Sequence, residues 1–474
     1  MTRSFETDVQ QLKYKVLKAV ATHVLEDNMN NCYYDIPHEI IQGKKATMRC
    51  CVYKERAIVE ERVHNILEDS DHVIQVIDIA CDECPVDRYS VNNSCRGCLA
   101  HRCMNVCPRG AITKSDDGRA KIDPEKCIHC GRCAKACPYG AITENIRPCE
   151  RSCKVGAIAM NDQQKAEINH DKCINCGACV SMCPFGAVVD HSQLVDAMHL
   201  VNAADHRGYY AVAVVAPAVA SQFPKATVGQ VKNALRKFGF HDVVEAALGA
   251  DMVTKKESKE LAEKGFLTSS CCPAFVRYIH QHVPEMAEHI SHNLSPMAEV
   301  CKYIKENSAW PVKTVFIGPC TAKKYEMTLP HVSPWVDSVL TFEEMQAMLD
   351  AANLSPEDVE ELPSDDASYY GRIFARSGGL SEAVAQSVKE QGLDIKPNPA
   401  VCSGIEACKV ALLKAKMGKL TENFIEGMAC EGGCINGAGA VSHTPKDRMS
   451  VDKFGKTSSK ETVNMAINSY QTKF

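Results

Sequence analysis

Apolar residues in the first part of the chain follow a helical period. They recur every three or four positions over residues 9–24 and again over residues 58–67, which places them on one face of a helix. No catalytic pattern accompanies them, so residues 1–80 are predicted to form a mainly helical N-terminal region of unknown role. The cysteines of this region, Cys32, Cys50 and Cys51, are interpreted as small buried residues, with a docking surface for an electron carrier as the alternative.

Beyond residue 200 the pattern changes to strands that alternate with helices. Apolar runs at 210–215 and 314–317 have the length and the β-branched content of buried strands. Helical periods follow at 228–238, 297–304 and 342–350. This alternation predicts an α/β domain with a helix-covered sheet over residues 200–474.

Composition limits the classes of function. The 474 residues are 45% hydrophobic and 24% charged, with a net charge of −5, and no long basic run occurs, so neither nucleic acid nor an anionic membrane is expected as a partner. The most apolar stretch, residues 209–223, contains Pro217 and is too short to span a bilayer. Residues 1–8 lack the apolar core of a signal peptide, and a cytoplasmic location is therefore expected. In that compartment the 27 cysteines favour metal binding over disulfides.

Sixteen of the cysteines lie between residues 81 and 183 in an internal repeat. Four copies of one half-unit, each with a Gly-Ala pair three residues after its cysteine, begin at Cys107, Cys137, Cys153 and Cys183. The interval from Cys107 to Cys127 equals the interval from Cys153 to Cys173. The repeated C-x2-C-x2-C-x3-C run resembles that of bacterial ferredoxins, and it predicts two tandem α+β ferredoxin-like modules over residues 81–190.

In bacterial ferredoxins, three cysteines of one run and the last cysteine of the other run hold each [4Fe–4S] cluster. Three complete sets follow from that rule: Cys95, Cys98, Cys103 and Cys137; Cys107, Cys127, Cys130 and Cys133; and Cys153, Cys173, Cys176 and Cys179. Cys149 and Cys183 then lack two partners. Cys81 and Cys84 could supply them, which would give about four accessory clusters. The alternatives are three clusters, with Cys81, Cys84 and Cys149 unliganded, or zinc at one of the sites.

Four further cysteines stand on three distant segments, residues 268–275, 318–326 and 426–437. They are Cys272, Cys320, Cys430 and Cys434. Each is close to a proline or a glycine, where the backbone can turn tightly around a bulky group. Four converging thiolates suit an iron–sulfur cube or a tetrahedral zinc ion, so these segments together form the candidate centre of the chain.

The three segments resemble the three sequence motifs of the [FeFe]-hydrogenase catalytic domain. Those motifs are commonly written TSCCPxW, PCxxKxxE and ExMACxxGCxxG, and the matches occur in the same order. The resemblance covers about residues 205–440 and implies two helix-flanked β-sheets with the cofactor deep between them. The fold class expected for the chain is thus α/β, a helix-flanked β-sheet hydrogenase catalytic domain preceded by the ferredoxin-like modules and the helical N-terminal region.

The resemblance implies an H-cluster, in which one bridging cysteine joins a [4Fe–4S] cube to a two-iron subcluster with CO, cyanide and azadithiolate ligands. The implied ligands are Cys272, Cys320 and Cys430 for the cube and Cys434 as the bridge. Met428 and Pro217 fall at positions assigned to cofactor binding. Lys323, in the C-x-x-K spacing, is expected to donate a hydrogen bond to a cyanide and to offset the negative charge of the cluster.

The same resemblance implies a route for protons through the dry interior of the domain. Cys271 matches the proton-transfer cysteine of the family. The other matched members of the route are Glu257, Ser291 and Glu260. An acidic helix face would produce the same glutamate spacing, so a solvated surface is the alternative for Glu257 and Glu260.

Several positions near the motifs depart from the better-known pattern. Phe275 replaces a Trp, Gly318 replaces a Met, Met297 replaces a Gln, and residues 437–440 replace a Gly-Gly-Gly-Gln run. These departures resemble a divergent branch of the family, group B, and are expected to alter potential, catalytic bias or oxygen sensitivity. Cys402 and Cys408 are interpreted as small buried residues.

The expected function is reversible hydrogen chemistry, 2H⁺ + 2e⁻ ⇌ H₂, in a cytoplasmic iron hydrogenase. The expected partners are H₂, protons, ferredoxin or a similar small redox protein, and the hydrogenase maturation proteins. One alternative is a non-catalytic homologue of the iron–sulfur assembly or prelamin-recognition type, and another is a hydrogen-sensing hydrogenase. The presence of Cys271, Lys323 and Cys434 favours the enzyme over the non-catalytic homologue.

Overall fold

The computed structural model describes residues 5–470, and the chain begins there with three helices. They are α1 (Asp8–Leu25), α2 (Cys32–Ile40) and α3 (Val52–Leu67). The N-terminus of α1 is capped by the side-chain oxygen of Thr7, which accepts a hydrogen bond of 3.1 Å from the Gln10 amide. The prediction of a helical N-terminal region is therefore confirmed. Of the stretch 1–8 that lacks an apolar core, residues 1–4 lie outside the described residues.

Short strands and helices follow over residues 74–190. They are β1 (Ile74–Val76), β2 (Tyr89–Val91), α4 (Arg102–Asn105), β3 (Ile112–Lys114), β4 (Ala120–Ile122), α5 (Arg132–Ala136), β5 (Ile142–Glu144), α6 (Pro148–Ser152), β6 (Ile158–Met160), β7 (Ala166–Ile168), α7 (Ala178–Met182) and β8 (Val188–Asp190). They form two modules of similar construction, each with an outer antiparallel pair and an inner hairpin. The predicted ferredoxin-like fold is thereby confirmed.

The two modules are nested in sequence. In the first module β2 pairs with β5 and encloses the β3–β4 hairpin, whereas in the second β1 pairs with β8 and encloses the β6–β7 hairpin. The first module is therefore an insertion between β1 and α6 of the second. The sequence predicts a tandem order that starts at residue 81, but the second module begins at Ile74. A strand of three residues carries too little pattern to reveal its partner, which comes from long-range pairing.

The remaining elements form the C-terminal α/β region. They are α8 (Leu194–Arg207), β9 (Tyr210–Val215), α9 (Val219–Gln222), α10 (Val228–Phe238), β10 (Asp242–Glu245), α11 (Ala246–Lys264), β11 (Leu267–Thr268), α12 (Pro273–His282), α13 (Pro296–Asn307), β12 (Val312–Gly318), α14 (Ala322–Glu326), β13 (Ser338–Thr341), α15 (Phe342–Ala351), α16 (Tyr369–Arg372), α17 (Gly379–Gln391), β14 (Pro399–Ser403), α18 (Ile405–Lys416), β15 (Phe424–Met428), α19 (Asp447–Gly455) and α20 (Val463–Ser469). Single 3-10 turns occur at Asp78–Ala80, Pro284–His289, Pro356–Asp358, Ile373–Ala375 and Cys434–Asn436.

Two parallel sheets organise this region. One has the strand order β10-β9-β12-β13 and the other has the order β11-β15-β14. Their strands are rich in buried valine and isoleucine, as expected when helices cover both faces of a parallel sheet. The predicted helix-flanked α/β fold is confirmed. Ligand sites in such folds lie at the carboxyl ends of the strands, and the three candidate segments follow the carboxyl ends of β11, β12 and β15.

The N-terminal helices and the second module are joined to the C-terminal α/β region by a buried charge network. Asp190, at the end of β8, accepts hydrogen bonds of 2.6 Å from Lys13 and 2.9 Å from Lys324. Burial alone would raise the pKa of Asp190, but the two ammonium groups hold it below its ordinary value. Val16 and Leu17 of α1 also pack in the same core as β9 and α15. The N-terminal region is thus part of the main core.

Across residues 5–470, no helix has an apolar stretch of the length needed to cross a bilayer. This agrees with the sequence, in which the most apolar run is broken by Pro217. In the structure that run divides between β9 and the short helix α9.

Candidate active site

The carboxyl ends of three strands bring the four candidate cysteines together. Cys272 is the N-cap residue of α12, four residues beyond β11, and Pro273 starts the helix with the fixed backbone angle that suits its first turn. Cys320 lies two residues beyond β12, just before α14. Cys430 lies two residues beyond β15, and Cys434 opens the following 3-10 turn. Each thiol is therefore held by a rigid element at the same edge of the domain.

Glycines at this edge allow backbone segments to approach closely. Gly433 has φ of 100°, and a Cβ atom added there would lie 2.6 Å from the Ser377 nitrogen. A Cβ atom on Gly427 would collide with the ring of Phe275, and one on Gly437 would collide with the Pro319 carbonyl. These glycines allow backbone segments and the Phe275 ring to pack closely around the segments that carry Cys430 and Cys434. The ring of Phe275, which stands where a Trp is more common, fills the position above Gly427 and is fully buried.

The electrostatics of the four thiols show that they are neighbours. Burial raises the pKa of Cys434 to about 12 and that of Cys320 to about 11, and like charge on the other thiols adds to both effects. The pKa of Cys430 is raised by burial and by the nearby thiols of Cys320, Cys272, Cys176 and Cys434. Burial thus disfavours the thiolate forms of Cys320, Cys430 and Cys434, whereas iron binds the thiolate form and would stabilise it. The donor set and the glycine-lined space fit an iron–sulfur group.

Lys323 is the buried cation of the site. Its ammonium donates a hydrogen bond of 2.6 Å to Oε2 of Glu326 and one of 3.3 Å to the Cys271 carbonyl. Burial lowers the pKa of Lys323, but the Glu326 carboxylate outweighs it and the net pKa is raised. Lys323 therefore stays charged beside Cys320 and Cys434, whose pKa values it pulls down. The role of Glu326 is absent from the sequence interpretation, although its i,i+3 spacing from Lys323 is the spacing of a helical ion pair.

The predicted proton-route residues lie close to one another. Cys271 is buried, and its pKa is raised well above the ordinary value by burial and by the nearby Glu257 carboxyl. Glu257 accepts hydrogen bonds from the Ser270 amide at 3.2 Å and from the Ser270 hydroxyl at 3.4 Å. Ser291 lies next to Glu257 and donates a hydrogen bond of 2.9 Å to Glu260. The structure thus brings together all four residues that the resemblance selected.

The two glutamates have different surroundings. Glu257 is 0% exposed, its Oε2 has no hydrogen-bond partner within residues 5–470, and burial raises its pKa to about 7. The alternative in which Glu257 lies on a solvated surface is therefore wrong. Burial alone would raise the pKa of Glu260, but Lys264 and the His292 amide lower it overall. Because the side chain of His292 is 76% exposed, Glu260 marks the solvent end of the line.

The two remaining predicted cofactor residues lie at the same edge. Met428 is the last residue of β15 and is 2% exposed. Pro217 is half-buried and follows β9, the strand beside β12. Glu426, on β15, also acts on the pKa of Cys271 and of Cys434, and it accepts hydrogen bonds from the Ser381 amide and hydroxyl.

The accessory cysteines are grouped as the ferredoxin rule predicts. A cavity in the first module is lined by Cys95, Cys98, Cys103 and Cys137, among others. In the same module negative charge on Cys127 and Cys130 raises the pKa of Cys133. Cys107 packs in the same small core as Cys127 and Cys133, a core that also contains Cys95 and Cys103. In the second module the thiols that raise the pKa of Cys179 after burial include Cys176, Cys173 and Cys153.

The unassigned cysteines form a fourth group. Burial raises the pKa of Cys149 to about 11, with added effects from Cys183 and Cys81. The pKa of Cys84 is likewise raised by burial, and Cys183 and Cys81 add to the effect. The group occupies in the second module the place that the Cys95 set occupies in the first, because the Ala166 amide donates to Cys81 Sγ at 3.3 Å as the Ala120 amide donates to Cys95 Sγ at 3.4 Å.

The second module directly contacts the edge of the C-terminal region at which the four thiols lie. Negative charge on Cys176 raises the pKa of Cys430, and negative charge on Cys272 raises the pKa of Cys176. Gly177 next to it has φ of 75°, and a Cβ atom there would lie 2.5 Å from the Ala438 Cβ. The set of Cys153, Cys173, Cys176 and Cys179 is thus adjacent to the four-thiol centre.

The other cysteines have varied environments. Cys32, Cys402 and Cys408 are buried, in agreement with their interpretation as small core residues. Cys50 is exposed and Cys51 is partly exposed, so that interpretation is wrong for Cys50. Within the described part of the chain, no three His, Cys, Asp or Glu side chains converge as they would around a single metal ion.

Comparison with known proteins agrees with this geometry. A family model described as the iron-only hydrogenase large subunit, C-terminal domain, matches residues 209–438. Two 4Fe-4S dicluster domain models match residues 94–141 and 119–184. The chain is an [FeFe]-hydrogenase-like protein. The model match covers the three strands and all four thiols of the candidate centre.

This [FeFe]-hydrogenase-like chain has relatives of two kinds. Iron hydrogenase 1 of Clostridium pasteurianum is 30% identical over 47% of this chain and 47% of the relative. Nuclear prelamin A recognition factor of Homo sapiens is 25% identical over 43% of this chain and 57% of the relative. The chain thus spans about half the length of the curated relatives it matches. A solved [FeFe]-hydrogenase structure, HydA(deltaEFG), aligns with a TM-score of 0.48 at 19% identity over 57% of this chain and 90% of that one.

Proposed function

We propose that the protein is a hydrogenase that catalyses 2H⁺ + 2e⁻ ⇌ H₂ at an H-cluster. In this proposal Cys272, Cys320 and Cys430 hold the cube, and Cys434 bridges it to the two-iron subcluster. The observation that carries the proposal is the buried line from Cys271 to Glu260 beside the four thiols. A protein that only stores or passes electrons has no use for such a line, whereas hydrogen chemistry consumes or releases two protons in each turnover.

The protonation or hydrogen bonding of each residue from Cys271 to Glu260 suits its proposed part in proton transfer. Burial keeps the Cys271 thiol protonated, so it can deliver a proton without leaving a permanent charge in the interior. The pKa of about 7 allows Glu257 both to take up and to release a proton near neutral pH. The Ser291 hydroxyl passes the proton to or from Glu260, which contacts solvent-exposed groups.

The pocket supports the group electrostatically. The H-cluster, when bound, supplies the iron centre at which protons and electrons combine. Lys323 is positioned to offset its negative charge, because the Glu326 carboxylate holds the ammonium charged and in place despite its burial. Cys271 is buried, and Cys320 and Cys434 are partly buried, which limits the contact of the reacting atoms with bulk water.

Electrons reach the site through the ferredoxin-like modules in this proposal. About four [4Fe–4S] clusters occupy the four cysteine groups, and the one held by Cys176 is next to the centre. Ferredoxin or a similar small redox protein is the proposed external carrier, and the maturation proteins install the two-iron subcluster. We place the reaction in the cytoplasm, where the many free cysteines stay reduced.

A second candidate is a non-catalytic iron–sulfur protein, because nuclear prelamin A recognition factor is among the relatives of this chain. Both candidates use the thiols, but the second leaves the line through Glu257 and Ser291 without a role. Infrared spectroscopy of protein loaded with all clusters and matured anaerobically separates the two. The hydrogenase proposal predicts bands of metal-bound CO and cyanide that are lost in Cys434→Ala. Protein with all its cubes, no such bands and no H₂ production would instead support the second candidate.

A further inference from the structure

Two arginines lie buried beside the fourth cysteine group. Arg62, on α3, and Arg147, the residue before α6, are each 5% exposed. Nη1 of Arg147 lies 3.8 Å from the sulfur of Cys81, to which it donates a long hydrogen bond. Nη2 of Arg62 donates a hydrogen bond of 2.5 Å to the carbonyl of Gly186, three residues beyond Cys183. The two guanidinium groups thus reach the fourth group from separate segments of the chain.

Neither arginine has an acidic partner. Within residues 5–470 neither of them takes part in an ion pair, and Nε of Arg62 has no hydrogen-bond partner. Asp190, whose charge also acts on Arg62, is already bonded to Lys13 and Lys324. Burial lowers the pKa of Arg62 to about 10, so its guanidinium keeps its charge at neutral pH. Because a buried charge without a counter-charge is costly, these two cations imply an anion beside them.

The equivalent cysteine set of the first module lacks buried cations of this kind. His101 stands at the position of Arg147. A Cβ atom added to Gly186 would collide with the Arg62 guanidinium, whereas one added to Gly140, at the matching place, would meet no atom of the described chain within 4 Å. The two cysteine sets therefore have the same backbone arrangement but different charges around them.

We propose that Arg62 and Arg147 are the counter-charges of a four-thiolate [4Fe–4S] cluster in the fourth group and that they raise its reduction potential. The proposal rests on the arrangement of clusters in the proposed function and not on the hydrogen chemistry itself. One electron from a reduced carrier protein or a chemical reductant converts the oxidised core to the reduced core, and no bond or proton changes. Four thiolates make the whole unit negative, so reduction adds charge that buried cations favour and that burial alone would oppose.

Potentiometric titration followed by electron paramagnetic resonance measures this effect. The cluster-loaded protein without the two-iron subcluster is titrated, and the wave that is missing from Cys84→Ala is assigned to the fourth group. Arg62→Gln and Arg147→Gln each remove one buried charge. The control Arg151→Gln removes an exposed charge two residues from Cys149, and Arg62→Lys keeps the buried charge.

At a fixed potential the ratio of reduced to oxidised cluster in the fourth group should fall about tenfold in Arg62→Gln and in Arg147→Gln. This change is a shift of about 59 mV to lower potential for one electron, and a single charge acting through a protein interior has an effect of that order. The shift persists at about 0.5 M salt, because buried charges are screened little. Arg151→Gln leaves the wave unchanged, and Arg62→Lys keeps most of the wild-type potential.

Waves at the wild-type potential in both Gln variants, or an equal shift in Arg151→Gln, would overturn the proposal. So would wild-type protein with four cubes by iron analysis and no wave that Cys84→Ala lacks, because the fourth group would then hold no cluster. A cluster that is lost from Arg62→Gln and kept in Arg62→Lys would support the pairing, since lysine keeps the charge. Matured wild type that makes no H₂ but shows these shifts would contradict the hydrogenase function alone.

Discussion

The hydroxyl of Ser291 donates a hydrogen bond of 2.9 Å to the carboxylate of Glu260, and it adjoins the buried carboxyl of Glu257. It is therefore the link between an acid with no contact to solvent and one whose partner His292 is 76% exposed. A hydroxyl can accept and donate a proton at the same time, which is the property that a relay between two carboxyls requires.

Removal of that hydroxyl tests the link. Ser291→Ala should lower H₂ production by roughly 100-fold or more, the lower end of the range for loss of a positioned proton-transfer group, while the infrared bands of the cofactor stay unchanged. The matched control is Ser387→Ala, which removes a buried hydroxyl that bonds Ser258 away from the line. Equal activity of Ser291→Ala and the control would show that protons reach the site by another route.

Glu257 should make stability depend on pH. Its pKa is about 7 in the folded protein and 4.5 in its ordinary state, so the folded state resists its ionisation. The destabilisation is absent below pH 4.5, grows between pH 4.5 and 7, and is constant at higher pH. Glu257→Gln should therefore be more stable than wild type at pH 8 by up to about 3 kcal/mol and show no such gain at pH 4.5.

The measurement is the melting temperature of the cluster-loaded protein at pH 4.5, 6 and 8, under one scan rate. Glu263→Gln is the control, because Glu263 is exposed on the same helix α11. A gain for Glu257→Gln that is equal at all three pH values would contradict the raised pKa.

The fourth cysteine group can be counted. Protein that lacks the two-iron subcluster should hold five cubes, about 20 iron atoms with an equal number of sulfides. Cys84→Ala should lose about four irons, because its group then has three thiols. Cys50→Ala, an exposed cysteine outside the groups, should lose none. Wild-type protein with four cubes would leave Cys81, Cys84 and Cys149 as unliganded residues.

Much of the fold could be predicted from local sequence patterns. The helix at 228–238 has the predicted bounds, because Thr227 and Gln230 form a capping box at its start and Gly239 ends it. The strand at 210–215 also has its predicted bounds, since an unbroken run of six apolar residues, five of them buried, leaves little ambiguity. The four thiols of the centre follow from motifs whose residue types are fixed by what they must hold.

Features that depend on contacts between distant parts of the chain could not be predicted from the sequence. The pairing of Val76 with Val188, which nests one module inside the other, depends on two three-residue strands that are far apart in the chain. The burial of Glu257 depends on β11 and α17, which pack against α11, and a helix face alone cannot distinguish it from solvated surface. The exposure of Cys50 is a tertiary property of the same kind.

Production of H₂ by matured protein is the measurement that tests the hydrogenase function most directly. The cluster-loaded wild type and Cys271→Ala are compared by mass spectrometry with reduced viologen as electron donor, after infrared spectra have shown the same CO and cyanide bands in both. The account predicts sustained H₂ production by wild type and loss of most of it in Cys271→Ala, because Ala cannot hold or pass a proton. Wild-type protein with the full set of bands and no H₂ above the level of Cys271→Ala would contradict it.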